Sequence, residues 1–191
     1  MEDREMIRRI QNGDQDMFRE LILKYYDEIF RYCCYKTGDE QASYDCTQDT
    51  FLHLTRYIGT YVEKTKFKAY LFTIARNVCH DYFRSSPAVA HGVSFYEFTG
   101  EGPGGTQEKE WDGPGEAVED EAIRNVETRE LLRLMLGRLP DIQREVIILR
   151  FMNDFKLREI AGLTGVPLTT VKSRLKQGMA KLKKMMEGVC L

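Results

Sequence analysis

Between Thr169 and Lys184 the chain carries six Lys or Arg residues (Lys172, Arg174, Lys176, Lys181, Lys183, Lys184) and no acid. Thr169, Thr170, Ser173 and Gln177 are interleaved with them. Cations suit phosphates, and hydroxyls and amides suit base edges, so this set has the chemistry of duplex DNA reading. The apolar residues Val171, Leu175, Met179 and Leu182 keep apart from the cations, at the i, i+4, i+8, i+11 spacing of a buried helical stripe. Two plainer readings share this pattern: an amphipathic helix with a solvated basic face, and a basic helix lying on a membrane. The stripe lacks the bulky aromatic residues that membrane anchors favour.

The residues just upstream favour DNA. In Glu159-Ile160-Ala161, then Gly165, Pro167 and Val171, Ala161 is small where two helices must cross closely. Gly165 stands where the turn between them is expected to need positive φ. Pro167 is expected just inside the next helix, where its missing N–H has no partner to lose. The spacing predicts a helix-turn-helix whose second helix is basic outside.

Other chemistry is poorly supplied. His53, His80 and His91 are not spaced as metal ligands, Cys79 and His80 diverge around a helix, and no nucleophile, base and orienter can be assembled. Gly100, Gly102 and Gly105 fit GxGxxG, but Gly113-Pro114 interrupts any helix after them, and the acids of that stretch would repel a pyrophosphate. No catalytic residue, metal, cofactor or small-molecule substrate is expected.

Three stretches set up this chemistry. Residues 1–86 read as helical throughout. Asp14 caps a helix buried along Phe18, Leu21, Ile22, Tyr25, Ile29, Phe30 and Cys33. Gly38 ends it, and Asp39 opens another that runs to the vicinity of Arg56. The irregular stretch Gly59–Lys66 leads to a helix over Phe67–Arg84, packed through Leu71, Ile74, Ala75, Val78 and Tyr82. Residues 87–121 are rich in Gly, Pro and acids and read as a flexible linker. Helices resume near Glu119, with an apolar set at Val126, Leu131, Leu134, Met135 and Leu139, and another helix runs from Asp141 to near Phe151. No stretch alternates with period two long enough for a sheet, so the expected fold class is all-α. It comprises two small helical domains, 1–86 and 122–187, joined by an acidic tether.

The net charge of −2 hides a segregation. Residues 1–86 carry −1, residues 87–121 carry −8 and residues 122–191 carry +7. The basic charge is therefore concentrated in the module with the helix-turn-helix. No apolar run approaches a membrane span, and MEDREMIRR has no apolar signal core. Cys33, Cys34, Cys46, Cys79 and Cys190 form no CxxC pair, which suggests reduced thiols in a cytoplasm.

In three places these residues resemble the bacterial RNA polymerase sigma factors of the extracytoplasmic-function type. Asp45-Cys-Thr-Gln48-Asp49-Thr50-Phe51-Leu52 looks like the family's polymerase-binding helix. Phe67-x-x-Tyr70-Leu71-x-x-Ile74-Ala75-Arg76-Asn77-x-x-x-Asp81-Tyr82-x-Arg84 resembles its promoter-melting helix. Leu139-Pro140-x-x-Gln143-Arg144-Glu145-Val146 with the following helix-turn-helix is close to its second domain. The order, spacing and acidic linker are together more specific than any one motif.

The resemblance implies a noncatalytic initiation subunit, in a stress or envelope response, whose partners are core RNA polymerase, promoter DNA and an anti-sigma factor. It implies core polymerase binding by Asp45, Gln48, Asp49 and Leu52, which lie at i, i+3, i+4, i+7 on one helix face. It implies −35 contacts by Thr169, Thr170, Lys172, Ser173, Lys176 and Gln177, with Arg174 and Lys181 on phosphates. Capture of the −10 strand needs shaped or aromatic pockets and cations. Lys64, Lys66, Phe67, Lys68, Tyr70, Arg76, Asn77, His80 and Arg84 supply them. The family usually has Trp at Tyr70, so weaker stacking is expected there. Phe67, Tyr70 and Tyr82 can also be read as core residues, and for Tyr82 the core is the expected place.

Overall fold

In the computed structural model, residues 2–63, 66–85 and 126–189 are described, the side chains of 126–129, 188 and 189 excepted. All regular structure among them is helical. The chain divides into two compact units, Met1–Gly100 and Glu101–Leu191. Lys64 and the tether of residues 87–121 lie outside the described residues, as does the expected helix start near Glu119.

Among the described residues, the first unit holds four α-helices. Helix α1 (Asp3–Gln11) precedes α2 (Gln15–Thr37), α3 (Glu40–Tyr57) and α4 (Phe67–Ser85). The chain turns from α1 into α2 where the Asp14 carboxylate accepts from Met17 N–H at 3.0 Å. The same carboxylate holds the Arg9 guanidinium at 2.6 Å. Asp39 repeats the device at the start of α3, accepting from Ala42 N–H at 2.7 Å, so both expected caps are in place. The predicted irregular stretch begins with a 3-10 turn, Ile58–Thr60. Gln11 ties it to α1 by donating to the Ile58 and Tyr61 carbonyls.

Leu21, Ile29 and Tyr32 of α2, Leu54 of α3, and Leu71, Phe72 and Ala75 of α4 fill the core. The Tyr32 and Phe72 rings meet edge to face at 5.4 Å. Of the expected buried side of α2, Phe18, Ile22 and Phe30 are half-buried, as is Ile74 on α4. Tyr82 departs from expectation. It is exposed, in the last turns of α4. Three thiols from three helices also meet here: Cys79 Sγ lies 3.8 Å from Cys33 Sγ, and Cys46 is hydrogen-bonded to Cys79. These bonds, and then burial, push the Cys79 thiol well above its ordinary pKa.

The second unit holds α5 (Val126–Gly137), α6 (Asp141–Ile147), α7 (Leu157–Thr164) and α8 (Leu168–Val189). Helix α6 continues into a π-helical turn, Ile148–Met152, so the expected helix end near Phe151 falls inside a widened turn. Leu136, Leu139, Val146, Ile147, Ile148, Leu149, Ile160, Val171 and Leu175 are its most buried apolar residues. Leu131 and Leu134, expected in this core, are exposed. The described residues that α5 buries, Met135 and Leu136, sit in its last turn.

The stripe on α8 also differs from expectation. Val171 and Leu175 are buried, but Met179 is 42% exposed. At 3.6 residues per turn, position i+8 is rotated about 80° from Val171 while i+7 is about 20° away. Position i+7 is Gly178, and it is buried. A Cβ placed there would stand 2.7 Å from Ile147 Cδ1 and 3.4 Å from Gln143 Cβ. The close crossing of α6 and α8 therefore rests on Gly178.

Candidate nucleic-acid and polymerase interfaces

The helix-turn-helix is built by its turn. Helix α7 ends at Gly165, which has φ +69° and donates its N–H to the Ala161 carbonyl at 2.9 Å. That left-handed conformation is the one expected of a glycine at this turn. Pro167 sits one residue outside α8, not inside it, and its carbonyl accepts from Thr170 and Val171 N–H. At the other end of α7, the Glu159 carboxylate accepts from Lys156 N–H at 2.9 Å. Asp154 takes up φ +59°, and Phe155 N–H reaches back to the Leu149 carbonyl at 3.0 Å.

With Val171, Leu175 and Gly178 turned inward, the opposite side of α8 carries the candidate DNA readers. Thr169, Ser173, Lys176, Gln177 and Lys181 are exposed, and Thr170, Lys172 and Arg174 are half-buried. Gln177 is held at both ends of its amide. Its Oε1 accepts from Gln143 Nε2 at 2.9 Å and its Nε2 donates to Ser173 Oγ at 3.3 Å. Gln143 reads in the sequence as part of a motif, and only the packing of α6 on α8 reveals its partner.

In the first unit, Asp45, Gln48, Asp49 and Leu52 are all exposed on one side of α3. Leu52 is 55% exposed, an apolar side chain at the edge of an acidic strip. The buried opposite side of α3, with Cys46, Thr47, Thr50 and Leu54, leaves this strip facing outward.

The candidate single-strand residues on α4 are brought together in part. Lys66, Tyr70, Asn77 and Arg84 recur at helical spacing, with Arg76 and His80 beside them. Lys66 and Arg84 are exposed; Tyr70, Arg76, Asn77 and His80 are half-buried. Two residues take other roles. Phe67 is 2% exposed and packs on Tyr25 and Tyr61 at 5.6 and 5.7 Å, so its place is in the core. Lys68 Nζ pairs with the Glu28 carboxylate at 2.8 Å, which fastens α4 to α2.

Tyr61 joins Tyr70 with ring centroids 4.6 Å apart. It lies just past the 3-10 turn, where no helical spacing could have marked it. Burial, then the nearby Glu63, pushes Tyr61 up to about 12. Burial also raises Tyr70. Both phenols keep their protons at neutral pH and can donate hydrogen bonds. Among the described residues no helix is long and apolar enough to cross a membrane, and no group of three or more His, Cys, Asp or Glu could hold a metal ion.

Two helical units, the second closing on a helix-turn-helix with a cationic outer side, define a two-module protein of the DNA-binding helical class. The family model described as Sigma-70 region 2 matches residues 21–87, and that described as Sigma-70, region 4 matches residues 129–182. The chain is 27% identical to the ECF RNA polymerase sigma factor SigW of Bacillus subtilis, covering 96% of each. It is 30% identical to the ECF RNA polymerase sigma factor BldN of Streptomyces coelicolor, covering 93% of this chain and 64% of that one. In fold it is similar to CnrH, solved with the cytosolic domain of CnrY, with a TM-score of 0.69 and 20% identity over 97% of each chain. It is likewise similar to the sigma factor RpoE of Bartonella quintana, solved with the anti-sigma factor NepR. The TM-score there is 0.62 at 19% identity, over 89% of this chain and 96% of the other. The chain belongs to the sigma-70 family of RNA polymerase sigma factors, in its extracytoplasmic-function branch.

Proposed function

We propose that this chain is a noncatalytic transcription-initiation subunit that binds core RNA polymerase and directs it to a particular set of promoters. One observation carries the reading: both sigma-70 regions occur in order in one chain, and apart from Phe67 the described candidate contact residues are exposed or half-buried. Residues 1–86 would serve as the polymerase-binding and −10 module, residues 122–187 as the −35 module, and residues 87–121 as the tether. The α3 strip Asp45, Gln48, Asp49 and Leu52 would meet a basic surface of the polymerase. Lys66, Tyr70, Arg76, Asn77, His80 and Arg84 would hold the opened −10 strand, with Lys64 on the approach. Thr169, Thr170, Lys172, Ser173, Arg174, Lys176, Gln177 and Lys181 would take the −35 duplex.

The chain would work where polymerase works, in the bacterial cytoplasm. An inhibitory protein that covers both DNA-facing surfaces, an anti-sigma factor, would keep it silent until an envelope or other stress.

The test is runoff transcription with sigma-free core polymerase on a library of genomic promoters. The full chain should give discrete start sites sharing two spaced elements. Leu52→Ala combined with Asp49→Arg should abolish co-purification with core polymerase and leave the melting temperature within a degree or two, because both residues are exposed. Absence of any start site with the unaltered chain would refute the function. Retention of the double variant by core polymerase would move the binding surface away from α3.

A further inference from the structure

Gln143 is 6% exposed, and its Oε1 is buried without a hydrogen-bond partner among the described residues. For packing alone an apolar side chain of the same size would serve better, because a buried unsatisfied amide oxygen carries a desolvation penalty. The other end of the amide is engaged, with Nε2 donating to Gln177 Oε1 at 2.9 Å. Gln177 in turn donates from Nε2 to Ser173 Oγ at 3.3 Å. The relay crosses from α6 to α8 where Gly178 lets the two helices close up: a Cβ added to that glycine would stand 3.4 Å from Gln143 Cβ.

The polarity of this relay has a consequence for base recognition. Gln177 has one carbonyl oxygen, and Gln143 turns it inward. The Gln177 amide nitrogen carries two protons, of which Ser173 takes one. Ser173 Oγ accepts that proton, so its own hydroxyl proton points elsewhere. The exposed edge made by Ser173 and Gln177 therefore offers donors to whatever lies against α8. In the major groove, guanine presents O6 and N7 and thymine presents O4, all acceptors, while cytosine presents only the N4 donor.

We infer that Gln143 is a positioning residue that orients the Gln177 amide, making the base pair facing Ser173 and Gln177 one with guanine or thymine on the contacted strand. This deepens, and rests on, the reading of α8 as the −35 reader. Gln143 itself is walled off from DNA by α8 and acts through Gln177. In a G·C pair the acceptors lie on guanine and the donor on cytosine, and in an A·T pair the only exocyclic donor is adenine N6, so the preference is for one orientation of the pair.

Two substitutions invert the polarity with little change of shape. In Gln143→Glu, the carboxylate accepts from Gln177 Nε2, so the Gln177 amide turns over and presents its oxygen outward. In Gln177→Glu, an exposed position that leaves the core untouched, the side chain itself becomes an acceptor. The experiment is runoff transcription by core polymerase with the full chain, or either variant, on templates randomised across the −35 element.

The unaltered chain should prefer G or T over C on the contacted strand at one position. Both variants should shift that same position toward C or A by about tenfold, with the other positions and the −10 profile unchanged. Added negative charge near phosphates lowers use of all templates alike, and so cannot imitate a change confined to one position. If the unaltered chain transcribes and both variants keep its base preference throughout, the relay has no such role. If Gln143→Glu unfolds, the Gln177→Glu profile decides alone. If the unaltered chain gives no transcript, the sigma-factor reading fails and takes this inference with it.

Discussion

Single atoms decide two features of this chain. The first is the absent side chain at Gly178. A valine there would drive its branches into Ile147, which is 2% exposed and whose Cδ1 already lies 2.7 Å from the ideal Cβ position. Gly178→Val should destabilise the second unit by about 1–3 kcal/mol, the usual range for overpacking a filled core. Thermal melting of the full chain should show it, and unchanged melting would mean that α6 and α8 are not in such close contact. The second feature is the Asp14 carboxylate. The Met17 N–H and then the Arg9 side chain hold its pKa below the ordinary 3.8. A group whose pKa is depressed on folding contributes stability that is complete above its unfolded value and lost as pH falls through its folded value. Asn at 14 still caps α2 but carries no charge for Arg9. Asp14→Asn should therefore melt below the unaltered chain at pH 6, with the difference closing as pH drops below 3.8. A constant difference down to pH 2 would remove the carboxylate from the account.

At the level of elements, legibility in the sequence depends on the locality of the signal. The caps at Asp14 and Asp39, the left-handed Gly165 and the four exposed residues of the α3 strip depend on a few neighbouring residues, so they can be read directly. Met179 cannot, because its position depends on a phase that drifts over two turns and on a glycine that looks featureless in isolation. Leu131 and Leu134 depart from expectation for a related reason: an apolar spacing says which side of a helix would be buried, not whether a partner covers it. Gln143 and Tyr61 owe their roles to residues 34 and 9 positions away, beyond any local pattern. The meeting of Cys33, Cys46 and Cys79 is equally nonlocal, since each comes from a different helix. It carries its own prediction. Among the described cysteines, maleimide labelling of the native chain should modify half-buried Cys34 first. Cys33, Cys46 and Cys79 should react only at the rate at which the bundle opens, because they are buried and the Cys79 thiol stays protonated. Peptide mapping that found Cys79 modified as fast as Cys34 would contradict the buried cluster.

Across the whole molecule, charge is distributed by module, and that makes free and assembled states electrostatically different. Residues 122–191 carry +7 and the preceding tether carries −8. The tether lies outside the described residues, and its composition alone sets its electrostatic effect. Nine acids in the same chain as a basic helix would compete for the cations that would neutralise DNA phosphates. Replacing every Asp and Glu of residues 87–121 by Asn and Gln should raise the affinity of the free chain for an arbitrary duplex, read by fluorescence anisotropy. The gain should be greatest in dilute buffer and fade toward physiological salt, as the screening length falls from about 30 Å at 0.01 M to about 8 Å at 0.15 M. Equal affinities at all salt concentrations would show that the acids do not reach the basic helix. A gain that persists undiminished at high salt would point to a specific contact in place of diffuse competition. Either result separates a tether that guards the DNA-facing helix by charge from one that merely spans the distance between two modules.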